Sequence, residues 1–223
     1  MTHVFTKIER PSQEVIEAYR SLAAATVHEA SGRCGDVDYH IKPIQRGLKI
    51  CGPALTVQCH PKDNLMLHKA LEIASPGDII VATVGAHYHA GYFGDLMATS
   101  AIARKVGGLA IDGCIRDAEE ICESGFPVFS RGFCITGTVK NTLGKVNHPI
   151  LFGGVQVNPG DLILGDDDGM VIVEKARIEE VLAKSKDRVE KEVEKAKVLE
   201  SGVSSVEFNK LDKKFETLGL VQE

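Results

Sequence analysis

The sequence predicts an α/β fold in a single domain, and three observations carry that prediction. Short β-branched apolar runs alternate with stretches of helical periodicity between about residues 54 and 130. A turn-rich strand pattern follows, "VQVNPGDLILGDDDGMVIV" at 155–173. A chain of 223 residues that is 43% hydrophobic and 26% charged fills one sizeable core and is short for two.

Taken in order, residues 12–31 place Val15, Ile16, Tyr19, Leu22 and Ala23 at helical spacing and predict one helix. A glycine-containing loop with "GDVD" at 35–38 follows. Ala54–Cys59 reads as a strand and Asn64–Ala74 as a helix. "GDIIVATV" at 77–84 reads as a buried strand entered through Pro76-Gly77, and "GAHYHAGYFG" at 85–94 as a glycine-rich loop. The helix from Asp95 ends with Arg104 and Lys105 in its last turn, where cations suit the helix dipole, and Gly107-Gly108 reads as its C-cap signal. A strand at 109–115, a helix near 117–124 and a strand at 127–130 complete the alternation. After residue 150 three strands are joined by two turns, Pro159-Gly160 in type II geometry and "DDDG" at 166–169. Residues 175–200 read as a long, charge-rich amphipathic helix. With no repeat, low-complexity stretch or linker, residues 1–223 read as one domain with an added antiparallel part.

Composition removes several function classes. A net charge of −5 and 5% aromatic residues offer neither the basic stripe nor the stacking platforms of a nucleic-acid binder. No stretch reaches the roughly 18 apolar residues of a membrane span, and "MTHVFTKIERPSQEV" has no apolar signal core, so a cytoplasmic location is expected. The six cysteines form no C-x-x-C pair and read as reduced thiols. His87 and His89 lack a clustered third ligand and read as loop residues, not a zinc site. "GDDDGM" at 165–170 lacks the calcium-loop pattern and reads as a hairpin turn. No Walker A or G-x-G-x-x-G stretch supports a nucleotide cofactor.

The chemistry concentrates in "GDLMATSAIARKVGGLAIDGCIRD", Gly94 to Asp117. Asp95 and Asp117 both follow apolar strands of β-α units, at the sheet edge where open α/β folds bind ligands. Gly85, Gly91 and Gly94 let backbone N–H groups approach an anion. Spacing also fits plain helix capping: Asp117 with Glu120 as a D-x-x-E box beside a solvated Arg116, and Asp95 as an N-cap. Schiff-base catalysis would need a lysine of lowered pKa in a buried pocket, and neither buried strand, 78–84 nor 109–115, carries one.

"AGYFGDLMATSAIARKVGGLAIDGCIRD", flanked by "TVHEASG" at 26–32, "KDNLMLHKALEIASPGD" at 62–78 and "RVEKEVEKAKVL" at 188–199, resembles the class II 4-hydroxy-4-methyl-2-oxoglutarate/4-carboxy-4-hydroxy-2-oxoadipate aldolases. These share a fold with the regulator of ribonuclease activity A. The resemblance implies an α-β-β-α sandwich of the swivelling, phosphohistidine-domain-like type. It implies a homotrimer or a dimer of trimers with sites at subunit interfaces, a 2-keto acid substrate, and Mg²⁺ or Mn²⁺. It makes Asp117 the one direct metal ligand and puts Arg116 on the keto oxygen. Gly94, Asp95, Leu96 and Asn64 would line the substrate site, and Asp95 would hold a water together with Glu29 and Glu192 of a neighbouring subunit. Glu190 and Glu194 offer rival registers for Glu192. The regulator branch generally lacks the aspartate after the arginine; Asp117 therefore favours the enzyme over a non-catalytic regulator of a ribonuclease or RNA helicase.

The residue types suit that chemistry. Breaking a carbon–carbon bond beside a 2-keto acid leaves an enolate. A hard dication and a guanidinium at one oxygen stabilise its charge, and a carboxylate-held water removes the distant hydroxyl proton. Oxaloacetate decarboxylation passes through the same enolate and is an expected side activity.

Overall fold

The computed structural model describes residues 2–222. The helix expected over 12–31 is two helices, α1 (Gln13–Arg20) and α2 (Ala24–Ala30). Ala23 is extended between them, and the first N–H of α2, on Ala24, donates to Asp166 Oδ2 at 2.8 Å. That cap arrives from 142 residues away, so local periodicity could not reveal the break. The strands that follow are β1 (Lys42–Pro43) and β2 (Ile50–Gln58), then α3 (Leu65–Ile73), β3 (Ile79–Thr83) and α4 (Asp95–Ala103). Next come β4 (Gly108–Asp112), β5 (Cys114–Ile115), α5 (Ala118–Ser124), β6 (Val128–Ser130) and β7 (Gly132–Phe133). The antiparallel part holds β8 (Lys145–Val146), β9 (Ile150–Phe152), β10 (Val155–Val157), β11 (Leu162–Asp166) and β12 (Gly169–Val173). The chain ends in the long α6 (Ile178–Glu200) and the short α7 (Ser205–Phe208) and α8 (Asp212–Thr217).

The main sheet runs β1-β6-β4-β3-β2-β11-β12, with β8 also paired to β2. Its centre is parallel, β2 to β3, β3 to β4 and β4 to β6, as the β-α alternation requires. Strand β2 begins four residues before the expected Ala54, because Ile50–Pro53 pair antiparallel with Gly165–Leu162 of β11.

Side chains alternate cleanly across these strands. Leu55, Val57, Ile80, Ala82, Leu109 and Ile111 pack against α3, α4 and α5. Cys51, Leu162, Leu164, Val171 and Val173 pack against α1, α2 and α6. The other parity, Ile50, Ala54, Ile79, Val81, Ala110, Phe129 and Ile163, shares one cluster with Phe152 and Val157 of the β9–β10 hairpin. The sheet curls around that cluster: a Cβ at Gly165 would stand 3.1 Å from the Phe129 ring, and Lys42 Nζ donates to the Asp168 carbonyl at 2.6 Å. Each fully buried Leu, Ile or Val in these layers contributes about 1.5–3 kcal/mol, which holds the strand ends in place.

Three local details differ from the expectations. The strand expected at 109–115 breaks at Gly113, which packs against Val84; Cys114 and Ile115 leave the main sheet to pair with Gly132 and Phe133 of β7. Helix α4 is closed by Lys105, not by glycine: Lys105 is left-handed (φ 59), its N–H donates to Ile102 O and the Val106 N–H to Ala101 O. Gly107 instead lets the chain approach the Gly77 carbonyl, 2.8 Å from where a Cβ would stand. The Pro159-Gly160 turn forms as expected, with Gly160 at φ +87 and the Asp161 N–H donating to Asn158 O at 3.1 Å. Among the described residues no helix is long and apolar enough to cross a membrane.

Candidate active site

The junction of β5 and α5 meets the N-terminus of α4 at a pocket of about 170 Å³. The chain before α4 runs beside β5: the Gly91 N–H donates to Thr136 O, the Tyr92 N–H to Cys114 O and the Arg116 N–H to Phe93 O. This ladder brings Gly94, Asp95 and Leu96 beside Arg116 and Asp117, both carboxylates lying beyond the ends of apolar strands in β-α units.

Both capping explanations fail on geometry. Asp117 is left-handed (φ 56, ψ 46), a conformation that costs a non-glycine residue roughly 1–2 kcal/mol, and its side chain makes no capping bond to α5. It turns instead to the other helix, where Oδ2 accepts the Asp95 N–H at 3.3 Å and lies 3.4 Å from Arg116 Nε. Gly94, not Asp95, is the N-cap of α4, and Asp95 stands at the first helical position without a capping bond from its side chain. Gly94 is required here by close approach: a Cβ on it would overlap the Asp117 carboxylate and lie 3.3 Å from Arg116 Nε. The site therefore presents a guanidinium, two carboxylates and the positive end of a helix, with the Asp95 N–H already turned to Asp117, an arrangement suited to an anion and to developing negative charge.

The opposite wall comes from α3. Asn64 is 6% exposed, and its Nδ2 donates to Tyr92 O at 2.9 Å. That bond fixes the amide and leaves Oδ1 buried with no partner among the described residues. An unpaired buried acceptor costs about 1–3 kcal/mol, so this oxygen is set for a donor that enters the pocket. His68, one helical turn further, faces the same cavity; burial first, and then the Lys140 cation, hold its pKa below the ordinary value. Thr138 and Lys140 complete the rim.

Sequence reasoning missed these last three residues. His68 was accessible to it, four residues after Asn64 and so on the same helix face. Thr138 and Lys140 carry no such signal, because their loop reaches the pocket only through tertiary contacts. Lys140 is exposed and lacks the burial that a Schiff-base lysine needs.

Glu29 and Glu192 do not line this chain's pocket. They meet each other elsewhere, on α2 and α6, through Arg188, whose Nε lies 2.7 Å from Glu192 Oε1 and whose Nη1 lies 3.8 Å from Glu29 Oε2. A hydrogen bond from Arg33 is the main cause that lowers the Glu29 pKa. Of the three glutamates in competing registers, Glu192 is the one that shares Arg188 with Glu29. His87 lies apart, with Nδ1 3.1 Å from the Tyr92 hydroxyl.

Among the described residues no three His, Cys, Asp or Glu side chains cluster as a closed metal cage. Two carboxylates, Asp95 and Asp117, one unpartnered amide oxygen, Asn64 Oδ1, and a single imidazole, His68, share the pocket. Such a sparse, mainly oxygen set fits Mg²⁺ or Mn²⁺, which keep much of their water shell, better than zinc, for which one imidazole without a thiolate or a second histidine is a poor start.

Residues 15–172 match the family model described as RraA-like: Aldolase/RraA. A protein of Halalkalibacterium halodurans named "Putative 4-hydroxy-4-methyl-2-oxoglutarate aldolase" is 36% identical over 173 residues, which cover 78% of this chain and 82% of that one. Among solved structures, an uncharacterized protein from Pseudomonas syringae pv. tomato superposes with a TM-score of 0.82 at 25% identity, covering 91% of this chain and 96% of that one. Streptomyces coelicolor RraAS2, described as an unusual member of the RNase ES inhibitor RraA protein family, superposes with a TM-score of 0.77 at 28% identity, covering 85% and 99%.

Proposed function

This chain belongs to the RraA-like family, Aldolase/RraA, and we propose that it is a divalent-metal-dependent aldolase. It cleaves 4-hydroxy-4-methyl-2-oxoglutarate or 4-carboxy-4-hydroxy-2-oxoadipate to pyruvate plus a second keto acid, pyruvate or oxaloacetate. The observation that carries this reading is the left-handed Asp117, turned from its own helix to meet Arg116 and the α4 N-terminus.

The backbone at Gly94–Leu96 receives the carboxylate of the 2-keto acid, where N–H groups and the helix dipole favour an anion. Arg116 donates to the keto oxygen. As the C3–C4 bond breaks, its electron pair moves onto that oxygen and the guanidinium holds the charge; removing such a donor costs roughly 10²–10³ in rate. Asp117 would hold Mg²⁺ or Mn²⁺, which supplies Lewis acidity at that oxygen. Asp95 holds the water that takes the C4 hydroxyl proton, and the same water returns a proton to C3. Glu29 and Glu192, joined through Arg188, complete that water site from a neighbouring subunit of a trimer or a dimer of trimers. Lys140 at the rim attracts the substrate's distant carboxylate. Decarboxylation of oxaloacetate follows from the same enolate, and the enzyme works in the cytoplasm. We also read the layers as an α-β-β-α sandwich of the swivelling type, because helices cover the outer face at both ends of the curled sheet and the inner face encloses one apolar cluster.

The test is direct. The purified protein is incubated with Mg²⁺ and, separately, with each hydroxy-keto acid and with oxaloacetate, and pyruvate is measured. Pyruvate release abolished by excess EDTA and restored by Mg²⁺ or Mn²⁺ is expected; full activity in EDTA removes the metal-dependent mechanism. A second reading, a non-catalytic regulator of a ribonuclease or RNA helicase, draws on the likeness to Streptomyces coelicolor RraAS2. No pyruvate from any of the three acids would favour it.

A further inference from the structure

We propose that Asp63 is a positioning residue that clamps the two walls of the pocket together. The residue is 1% exposed. Oδ1 accepts the Leu65 N–H at 2.8 Å, at the start of α3. Oδ2 accepts two more N–H groups, Asn141 at 2.7 Å and Thr142 at 2.8 Å. One carboxylate thus joins the helix that carries Asn64 and His68 to the loop that carries Thr138 and Lys140. The backbone repeats the junction: the Val139 N–H donates to Lys62 O at 2.9 Å and the Asn64 N–H to Val139 O at 3.1 Å. Lys62 is left-handed (φ 61), and its own N–H donates to the buried Tyr92 hydroxyl at 2.7 Å, so the 62–64 side of the junction is rigid.

Beyond the Val139 bonds, and the Thr136 carbonyl that accepts the Gly91 N–H, regular structure does not hold the loop side. Neither helix nor strand lies between β7, ending at Phe133, and β8, starting at Lys145. Ile135 is 94% exposed and Leu143 60%, so apolar burial contributes little there. The three N–H groups on Asp63 satisfy both oxygens of an ionised carboxylate, which an amide cannot do because it has one acceptor and one pair of donors. In Asp63→Asn the NH₂ group must face either the Leu65 N–H or the Asn141 and Thr142 N–H pair. Asp63→Ser keeps a short acceptor for the Leu65 N–H and does not reach the loop. The clamp itself stands on geometry alone; its kinetic consequence rests on the aldolase reading above.

Both variants are tested as full-length protein by site-resolved amide exchange, by trypsin cleavage after Lys140, and by steady-state kinetics with 4-hydroxy-4-methyl-2-oxoglutarate. Exchange at Asn141 and Thr142 and cleavage after Lys140 should each rise about tenfold, the scale of one lost charge-assisted hydrogen bond, while exchange in β3 and β4 stays unchanged. KM should rise about tenfold with kcat within about threefold, because the walls hold the unreacting part of the substrate equally in ground and transition state. Unchanged exchange and cleavage at the loop in both variants overturns the clamp. Exchange that rises equally in β3 and β4 also overturns it, since Asp63 would then serve only overall stability. A freed loop with unchanged KM overturns the positioning role. If the wild type releases no pyruvate at all, the aldolase reading fails, and exchange and cleavage still decide on the clamp.

Discussion

Replacing Gly94 with alanine adds one methyl group at the place where the site is tightest. The backbone at Gly94 is extended (φ −135, ψ −177), a conformation alanine adopts without strain. What the new Cβ meets is the Asp117 carboxylate, a mobile side-chain end, with Arg116 Nε 3.3 Å away. The carboxylate oxygen must retreat by about 1 Å to restore ordinary contact. The fold should therefore barely notice: alanine gains about 0.4–1 kcal/mol by restricting the unfolded chain, which offsets a small repulsion. Catalysis should notice strongly, because a 1 Å misplacement of a catalytic group costs on the order of 10²-fold, or about 2.7 kcal/mol of transition-state stabilisation. Pyruvate release measured against metal concentration should show kcat/KM down about a hundredfold and a higher metal requirement, with thermal unfolding within a few degrees of wild type. Gly137→Ala is the internal control, since its Cβ would stand at an ordinary 3.7 Å from Arg116 Nη1. Gly94→Ala at full activity would refute a catalytic role for the carboxylate's position. A collapse of thermal stability would instead make the Gly94–Asp117 approach a packing requirement.

Asp95→Asn should damage aldol cleavage far more than oxaloacetate decarboxylation, which removes no hydroxyl proton, whereas Arg116→Ala should lower both by roughly 10²–10³; equal loss of the two activities in Asp95→Asn would remove its base-side role. Asp117→Asn and Glu192→Ala should each be nearly inactive, and after mixed refolding about a quarter of wild-type activity should return, because one site in four pairs an intact Asp117 with an intact Glu192 of the next chain; no recovery in oligomers shown by mass spectrometry to hold both chains would place Glu192 in its own subunit or outside the site. Burial raises the Asp63 pKa, but the Leu65, Asn141 and Thr142 N–H groups outweigh it and hold the carboxyl below its ordinary value. A depressed folded-state pKa stabilises the protein above the unfolded value of about 3.9, and that contribution is lost as pH falls through the folded value. Amide protection at Asn141 and Thr142 should accordingly drop below about pH 4 ahead of protection in β3, and parallel loss at both places would contradict it.

Much of the fold was legible because it rests on local periodicity. The short apolar runs of Ile79 to Thr83 and of Leu162 to Asp166, the Pro159-Gly160 turn and the length of α6 all follow from side-chain pattern and turn chemistry within a few residues. The site's first residues were legible for a related reason. Gly94, Asp95, Arg116 and Asp117 sit at the ends of β-α units, and a parallel sheet puts all such ends on one edge.

What the sequence alone left open was each side chain's partner. Asp117-x-x-Glu120 is as good a capping box as any, and only the close approach of Gly94 turns that carboxylate into the pocket. The break between α1 and α2 depends on Asp166, and the pairing of Glu29 with Glu192, on different helices, depends on a shared Arg188. Lys140 enters the pocket because Asp63 holds its loop across 78 residues of chain. Periodicity places a residue on a face, because it repeats within a turn or a pleat. Which charge it meets there is decided by chain segments far apart in sequence, and packing alone brings those together.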